Sequence, residues 1–581
     1  MEQSPRSDPT NTEVAAALDE LGDLYELDGA VIHRIVAYRN AAKAVRDAPV
    51  SIVSLARQGR ATELPGIGAI IQEKVLALAD EGDIPALVKL RSKFPPGLIA
   101  MTRLPGLGPK RARRLFEELG IDSLEALRVA LEREQVRALK GFGPKAEQSL
   151  LAALRAAGAG EPRTRVVLDR ALAVAEQLVA ALREHPAAAR VELAGSARRM
   201  TETVKDLDII ATAADPLALV QAAAGLELVE SADTAGEAGV RLHTHTGLAV
   251  DLRVVAPDQF GNLLQHLTGS KQHNMALRDA AVRKGLHVSE YGVLDDATGH
   301  MHRCATEAEV YALLGLAYIE PELRENRGEL EAAARGALPQ LVELRDLRGD
   351  LHCHTTASDG TASIEEMALA AREAGYEYLA ITDHSASFGF GDDVSPERLR
   401  AHMAAIRAVS IEGLKLLAGS EVNILPDGSL DYEDELLAEL DWVIASVHSS
   451  FRMDRAAMTE RIVRAIEHPL VDAIGHPSGR KLSRRDPYEF DVERVIEAAA
   501  RTGTMLEINA NPDRRDLNEV NARAAAAAGI PIVINTDSHR AGGFAVARYG
   551  VATARRAWLT APQVANTRPW AELEALRPRN R

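Results

Sequence analysis

The sequence predicts a multidomain chain: an α-helical N-terminal region, an α+β middle, and a C-terminal α/β barrel. Three patterns carry that prediction. Residues 13–160 are Ala- and Leu-rich segments with 3.6-type apolar spacing, cut by short Gly/Pro turns. Residues 165–325 alternate helical and strand-like stretches. Residues 350–540 hold seven short apolar runs separated by helical stretches, as buried parallel strands of a barrel require. A length of 581 residues with 46% apolar content provides for several domains with sizeable cores.

The helical region carries an internal repeat of roughly 35–40 residues. Its turns read LPGIG at 64–68, LPGLG at 104–108 and LKGFG at 139–143, each leading into a helix. Glycine permits the tight turn and a close backbone approach. The N–H groups of the following helix start favour an anion. Such turns resemble helix-hairpin-helix motifs, which grip DNA phosphates without reading sequence. Gly66, Gly68, Gly106, Gly108, Lys110 and Arg111 are the expected DNA contacts. The net charge of −16 speaks against nucleic acid only until it is divided. Residues 1–160 hold 22 basic and 21 acidic residues, and 161–340 hold 18 and 26. The segment from Arg103 to Arg114 has five basic residues and no acid, and phosphate binding depends on local charge.

In the middle region, Asp206 and Asp208 alternate on a predicted strand, so both carboxylates face one way. A second strand, GLAVDLRVV, offers Asp251. Three convergent carboxylates suit two Mg²⁺ or Mn²⁺ ions for phosphoryl transfer. Upstream, Gly195 and Ser196 occupy a turn with Arg198 and Arg199, which suits phosphate clamping.

The barrel runs are GDLHCH, YLAITDH, LLAGSEVNIL, WVIASVHSS, VDAIGHPSG, GTMLEINAN and PIVINTDSH. All but the sixth carry a candidate His, Asp or Glu ligand at or near the end of the run. Barrel sites lie at the C-terminal ends of the strands. His352, His354, Asp359, His384, Glu421, His448, His476, Asp537 and His539 are therefore expected to converge. Nine such side chains suit two or three ions of Mn²⁺, Zn²⁺ or Fe²⁺, and the imidazole-carboxylate set does not choose among these metals. Cys353 lies between two of these histidines and points away from them. With only Cys304 besides, no disulfide framework exists, which fits a reducing cytoplasm. No apolar run reaches the roughly 18 residues of a membrane span, and the polar start, MEQSPRSDPTNTE, is unlike a secretion signal.

GSARR…DLD…VDLR, followed by LTGSKQHNMALRDAAVRKG and EYG, resembles the nucleotidyltransferase core of family X DNA polymerases. The likeness covers about residues 13–320. It implies that Asp206, Asp208 and Asp251 hold the catalytic metals. Ser196 and Arg199 then fall on triphosphate-binding positions, Gly269 in the TGS turn, and Asn274 and Arg278 beside the nascent base pair. Where the family often has an aromatic pair before TGS, this chain has His266 and Leu267. The N-terminal helices resemble the lyase domain of polymerase beta. His33, Tyr38 and Arg39 match, and Lys74 falls on the Schiff-base position, while Ile70 replaces a phosphate-binding lysine.

DLHCHTTASDG…TDHS…GSEVN…SVHSS…IGHPSGR…NTDSH resembles the PHP (polymerase and histidinol phosphatase) domain. A family X polymerase followed by PHP resembles the bacterial and archaeal form, PolX. The implied fold class is a helix-hairpin-helix α-helical region, an α+β nucleotidyltransferase palm and a distorted (βα)7 PHP barrel. The implied segments are lyase-like 1–90, DNA-binding 91–160, palm 161–260, nascent-pair subdomain 261–325, a helical linker 326–346, and PHP 347–575. The implied protein is a monomeric, cytoplasmic gap-filling polymerase of base excision repair. It acts on gapped or primed DNA with dNTPs. Its PHP domain implies a Mn²⁺-dependent 3′→5′ exonuclease and, as in some members, an abasic-site endonuclease. Two other readings are a phosphatase of small phosphate esters and a DNA-binding scaffold with inactive centres.

Overall fold

A computed structural model describes residues 8–104, 106–157, 165–387 and 394–580. The first seven residues, Pro105 of the second turn and the 160/161 boundary lie outside them. The chain forms two compact units. The first takes in Met1–Val166, Arg170–Leu193 and Lys205–Ala256, and the second Val167–Asp169, Ala194–Val204 and Pro257–Arg581.

In the first unit, helix Asn11–Leu27 begins at a Thr10/Glu13 capping box and buries Leu18, Leu21 and Leu24. It packs on Ile32–Asp47 and contributes to a core with Ile52, Leu55, Ile71 and Val75. A second helical core gathers Leu98, Leu107, Leu115, Leu127 and Phe142. The repeated turns share one geometry. Gly66, Gly106 and Gly141 have φ of 92°, 83° and 91°, a left-handed conformation that disfavours a side chain. Each turn precedes a helix: Ala69–Glu81, Pro109–Leu119 and Pro144–Ala157.

The palm is a five-stranded sheet in the order Ala188–Ala194, Asp206–Ala213, Ala249–Val254, Gly239–Thr244, Val229–Ala232. Helices Leu168–Glu184 and Pro216–Ala224 accompany it in sequence.

In the second unit, helices Phe260–Thr268 and Lys271–Val282 precede a small antiparallel sheet of Leu286–Ser289, Gly292–Asp295 and Met301–His302. The 326–346 segment is α-helical only over Glu329–Ala334, with one 3-10 turn at Leu344–Asp346. Gly336 has φ +63° and Pro339 lacks an N–H, so the helix stops there. That short helix is anchored, because Glu329 is fully buried with its carboxylate 2.7 Å from His273 Nδ1.

The barrel contains seven parallel strands in sequential order: Gly349–Asp350, Tyr378–Ile381, Lys415–Asn423, Trp442–Ser446, Ala473–Ile474, Met505–Asn509 and Ile532–Asn535. A parallel bridge, Cys353 to Ser538, nearly closes it between first and last strands. Strand alternation divides the side chains. Tyr378, Ala380, Leu417, Trp442, Ile444, Met505 and Val533 form one apolar cluster with Trp570 and Leu573. Leu379, Ile381, Ala418, Val443, Ala445, Leu506 and Ile534 join the larger core with the helices.

Candidate active sites

The barrel brings the nine predicted ligands to the strand ends. Three clusters have donor atoms within 4.8 Å of one another: His354, Asp359, His384 and His539; His352, His354 and Asp537; His384, Glu421 and His448. His476 reaches the same centre, its Nε2 lying 2.9 Å from Glu421. Glu421 is the hub, with His384 at 2.9 Å, His448 at 3.2 Å and His352 at 3.3 Å. Alternation puts it inside: Leu417 lines the inner cluster, while Ala418 and Val422 face the helices. Cys353 points elsewhere, with Sγ 3.3 Å from the Ala380 carbonyl.

The electrostatics fit cations. Burial would raise the Glu421 carboxyl, but His448, His352 and His384 outweigh it and hold it well below its ordinary value. Burial pushes His354 down to about 4, with His384 and His539 adding to the effect. Burial and then Arg514 bring His476 to about 4. Neutral imidazoles with available lone pairs are what metal binding needs. Among the described residues, His354 Nδ1 and His476 Nδ1 are buried ring nitrogens with no hydrogen-bond partner, which a bound ion would satisfy.

Sequence reasoning missed the supporting groups. Glu507 is fully buried and accepts four N–H groups. These come from His352 Nδ1 at 2.8 Å, the His476 backbone at 2.7 Å, Asn535 at 3.0 Å and Asn509 at 3.2 Å. Asn423 Oδ1 lies 2.6 Å from His448 Nδ1, and Asn509 Nδ2 donates to Asp537 at 3.1 Å. Asp383 receives Thr355, Ser358 and His402, fixing the segment that leads to Asp359. Such partners set ring tautomers and ligand orientation. Arg514 approaches Asp537 at 3.4 Å, and burial followed by the nearby Arg514 charge lowers the pKa of both Lys481 and Arg485. The strand period gives only the inward direction of Glu507, which shares a face with Met505, and not its partners.

In the first unit, Asp208 and Asp251 are cross-strand partners in a parallel pair, and Asp206 sits two residues earlier opposite Ala249. The predicted shared face is therefore formed. Arg241, on the neighbouring strand and also opposite Asp251, donates to it at 3.0 Å. Alternation on Gly239–Thr244 places that cation there, a residue the sequence reading left out.

Among the predicted DNA contacts, Lys110 is exposed at the start of its helix. Arg111 is committed internally: it donates to the Gly106 and Gly141 carbonyls at 3.0 and 3.1 Å, tying two repeats together. Lys74 lies on Ala69–Glu81 with its Nζ 6.0 Å from the Tyr38 ring centre.

In the second unit, Gly195, Ser196 and Arg199 lie in a turn closed by Thr201, which donates to the Ser196 carbonyl at 3.1 Å. Arg199 donates to Glu325 at 3.1 Å and to the Thr268 carbonyl, directly before Gly269. A side chain at Gly269 would come within 3.3 Å of that guanidinium. Arg198 is turned inward onto Glu307, a carboxyl that Arg324 and Arg198 hold down to about 2 against burial. Asn274 is held by Gln265 and by the His266 carbonyl, and Arg278 reaches His266 Nδ1 at 3.4 Å.

Known families match these parts. Residues 9–84 match the helix-hairpin-helix domain, and 98–156 the SAM-like helix-hairpin-helix tandem. Residues 263–325 match the DNA polymerase beta thumb, and 350–511 the PHP domain. The chain is 38% identical over 572 residues to DNA polymerase/3′-5′ exonuclease PolX of Bacillus subtilis, across 98% of this chain and 99% of that one. Probable phosphatases of Acetivibrio thermocellus and Shewanella oneidensis are each 33% identical, over 33% and 34% of this chain and 78% and 79% of theirs. The partial phosphatase likeness and the end-to-end likeness to PolX have one reading: this chain belongs to the PolX family, family X DNA polymerases with a C-terminal PHP domain.

Proposed function

We propose that this chain fills short gaps in DNA during repair, and that its barrel trims 3′ ends as a metal-dependent exonuclease. The observation that carries this reading is that the aspartate trio and all nine barrel ligands are present in a chain alike, end to end, to DNA polymerase/3′-5′ exonuclease PolX. Asp206, Asp208 and Asp251 would hold Mg²⁺ or Mn²⁺. The barrel residues would hold two or three ions of Mn²⁺, Zn²⁺ or Fe²⁺. Bound ions supply Lewis acidity at a phosphoryl oxygen. The chain's own residues do the rest. Ser196 and Arg199 grip the triphosphate, Asn274 and Arg278 border the new base pair, and the helix-hairpin-helix turns hold the DNA backbone. In the barrel, Arg514, Lys481 and Arg485 offer cations to a phosphodiester. Among the described residues no helix is long and apolar enough to cross a membrane.

The test is a gapped, end-labelled duplex incubated with Mg²⁺ or Mn²⁺ and resolved by product length. With dNTPs the primer should lengthen to the gap's end. Without them, in Mn²⁺, it should shorten from the 3′ side. Absence of extension, together with turnover of histidinol phosphate, would support a small-ester phosphatase instead.

Two finer expectations arise from the same residues. Lys74 is proposed as a lyase nucleophile, which would form an imine with an opened abasic sugar and release the 5′ sugar phosphate by β-elimination. Ile70 is 67% exposed where a phosphate-binding lysine would help docking, so the reaction should be slow and salt-sensitive. Borohydride should trap a protein–DNA crosslink with the parent and not with Lys74→Ala; equal trapping in both would move the chemistry to another amine. His266 and Leu267 in place of an aromatic pair should weaken rejection of rNTPs. The dNTP/rNTP ratio of kcat/KM should rise by about tenfold in a His266→Tyr, Leu267→Phe variant, the scale of one lost apolar contact. An unchanged ratio would refute the assignment.

A further inference from the structure

The turn read above as the triphosphate site is held by the barrel, within one compact unit. Three barrel arginines reach it from three different places. Arg556, at the end of helix Ala547–Arg556, donates to the Arg199 carbonyl at 2.8 Å and to Glu325 at 3.0 Å. Glu325 is also the acceptor of the Arg199 side chain. Arg515, from the segment after the sixth strand, donates to the Met200 carbonyl at 3.0 Å. Arg480, from the segment after the fifth strand, makes a two-pronged contact with Glu202 at 3.1 and 2.5 Å. All three guanidinium groups are buried, at 5%, 1% and 9% exposure. Buried charge-assisted contacts of this kind fix geometry more firmly than surface pairs.

The two barrel segments are also joined to each other. Arg480 donates to the Arg515 carbonyl, and the Ser478 backbone donates to Asp516 at 3.0 Å. Neither arginine belongs to the clustered ligands, yet each is close in sequence to that centre: His476 precedes Arg480, and Arg514, which contacts Asp537, precedes Arg515. Met200 itself has φ +56°, a conformation a non-glycine residue keeps only when its surroundings hold it.

We infer that Arg480, Arg515 and Arg556 are positioning residues for nucleotide binding: the barrel sets the turn that carries Ser196 and Arg199, so the polymerase half depends on the nuclease half for its nucleotide affinity. The inference rests on the turn being the triphosphate site. Displacing the turn should weaken nucleotide binding equally in ground and transition states, so KM for dNTP rises and kcat stays.

The experiment is steady-state insertion into a one-nucleotide gap by the full chain, with Glu202→Gln, Arg480→Gln, the double variant and Arg199→Ala. Each of the first two is expected to raise the dNTP KM by about tenfold, the scale of a sub-ångström misplacement of binding groups. The expected kcat stays within threefold and DNA affinity is unchanged. The double variant should match Arg480→Gln, since Glu202→Gln weakens only the contact that Arg480→Gln already removes along with its bond to the Arg515 carbonyl. Glu202 lies on the partly exposed turn, so it reads the same contact even if Arg480→Gln folds poorly. Lower melting temperatures with an unchanged KM in Glu202→Gln would overturn the inference and leave the arginines as structural ties. So would additive effects in the double variant. Arg199→Ala separates the two levels: if it leaves the dNTP KM unchanged, the triphosphate assignment is wrong; if it raises KM while Glu202→Gln does not, only the positioning role is wrong.

Discussion

Asp251→Ala is expected to abolish nucleotide addition while leaving the barrel's nuclease at its parental rate. Asp251 faces Asp208 directly across a parallel strand pair, and Asp206 lies on the same face. One carboxylate fewer removes a ligand that the other two cannot replace, because both are fixed by the strand. Lewis-acid stabilisation is worth several kcal/mol, so the loss should be on the order of 10³-fold. The aspartates and the barrel belong to different compact units, which is why the nuclease should survive. Single-turnover insertion into a gapped duplex and primer degradation, measured on the same preparation, check both halves. Insertion at the parental rate would show that Asp251 holds no metal. Loss of both activities would show a folding defect, which Asp251→Asn would separate by keeping the side-chain volume.

Much of this was legible in the sequence because periodicity places side chains. Alternation alone put Asp206 and Asp208 on one face, and the ends of six of the seven apolar runs gave the side chains that cluster in the barrel. What stayed hidden depended on contacts between elements distant in sequence. Glu507 lies in the one run without a ligand at its end, and its role becomes visible only when His352, 155 residues away, meets it. Arg111 reads as a phosphate contact in a basic segment, yet its fork-shaped donor group closes on two carbonyls, one of them 30 residues away. The tie from Arg515 to Met200 spans 315 residues and has no local signature at all. The helical reading of 326–346 failed at Gly336 and Pro339, where backbone chemistry outweighs apolar spacing.

Glu421→Gln is expected to abolish the nuclease, again on the order of 10³-fold if several kcal/mol of metal stabilisation is lost, with nucleotide addition preserved. Its carboxylate lies within 3.3 Å of four imidazoles, and among the described residues no other acid in the barrel touches so many. Glutamine keeps the volume and removes the charge, so the fold should persist while the metal content, read by elemental analysis, falls. Glu507→Gln should give a graded result, about 10- to 100-fold, as expected for a group that orients a ligand. All four of its partners donate, so an amide NH₂ turned toward His352, His476, Asn509 or Asn535 would face another N–H. Losing the acceptor at His352 Nδ1 frees that ring to take the other tautomer, which puts a proton on the Nε2 that faces Glu421 and Asp537. The two variants should therefore differ in kind. Glu421→Gln loses metal at every concentration tried, whereas added Mn²⁺ partly rescues Glu507→Gln. Parental degradation by Glu421→Gln would remove the hub from the metal centre. A Glu507→Gln loss that Mn²⁺ cannot rescue would make Glu507 a direct ligand rather than the partner that sets the His352 tautomer.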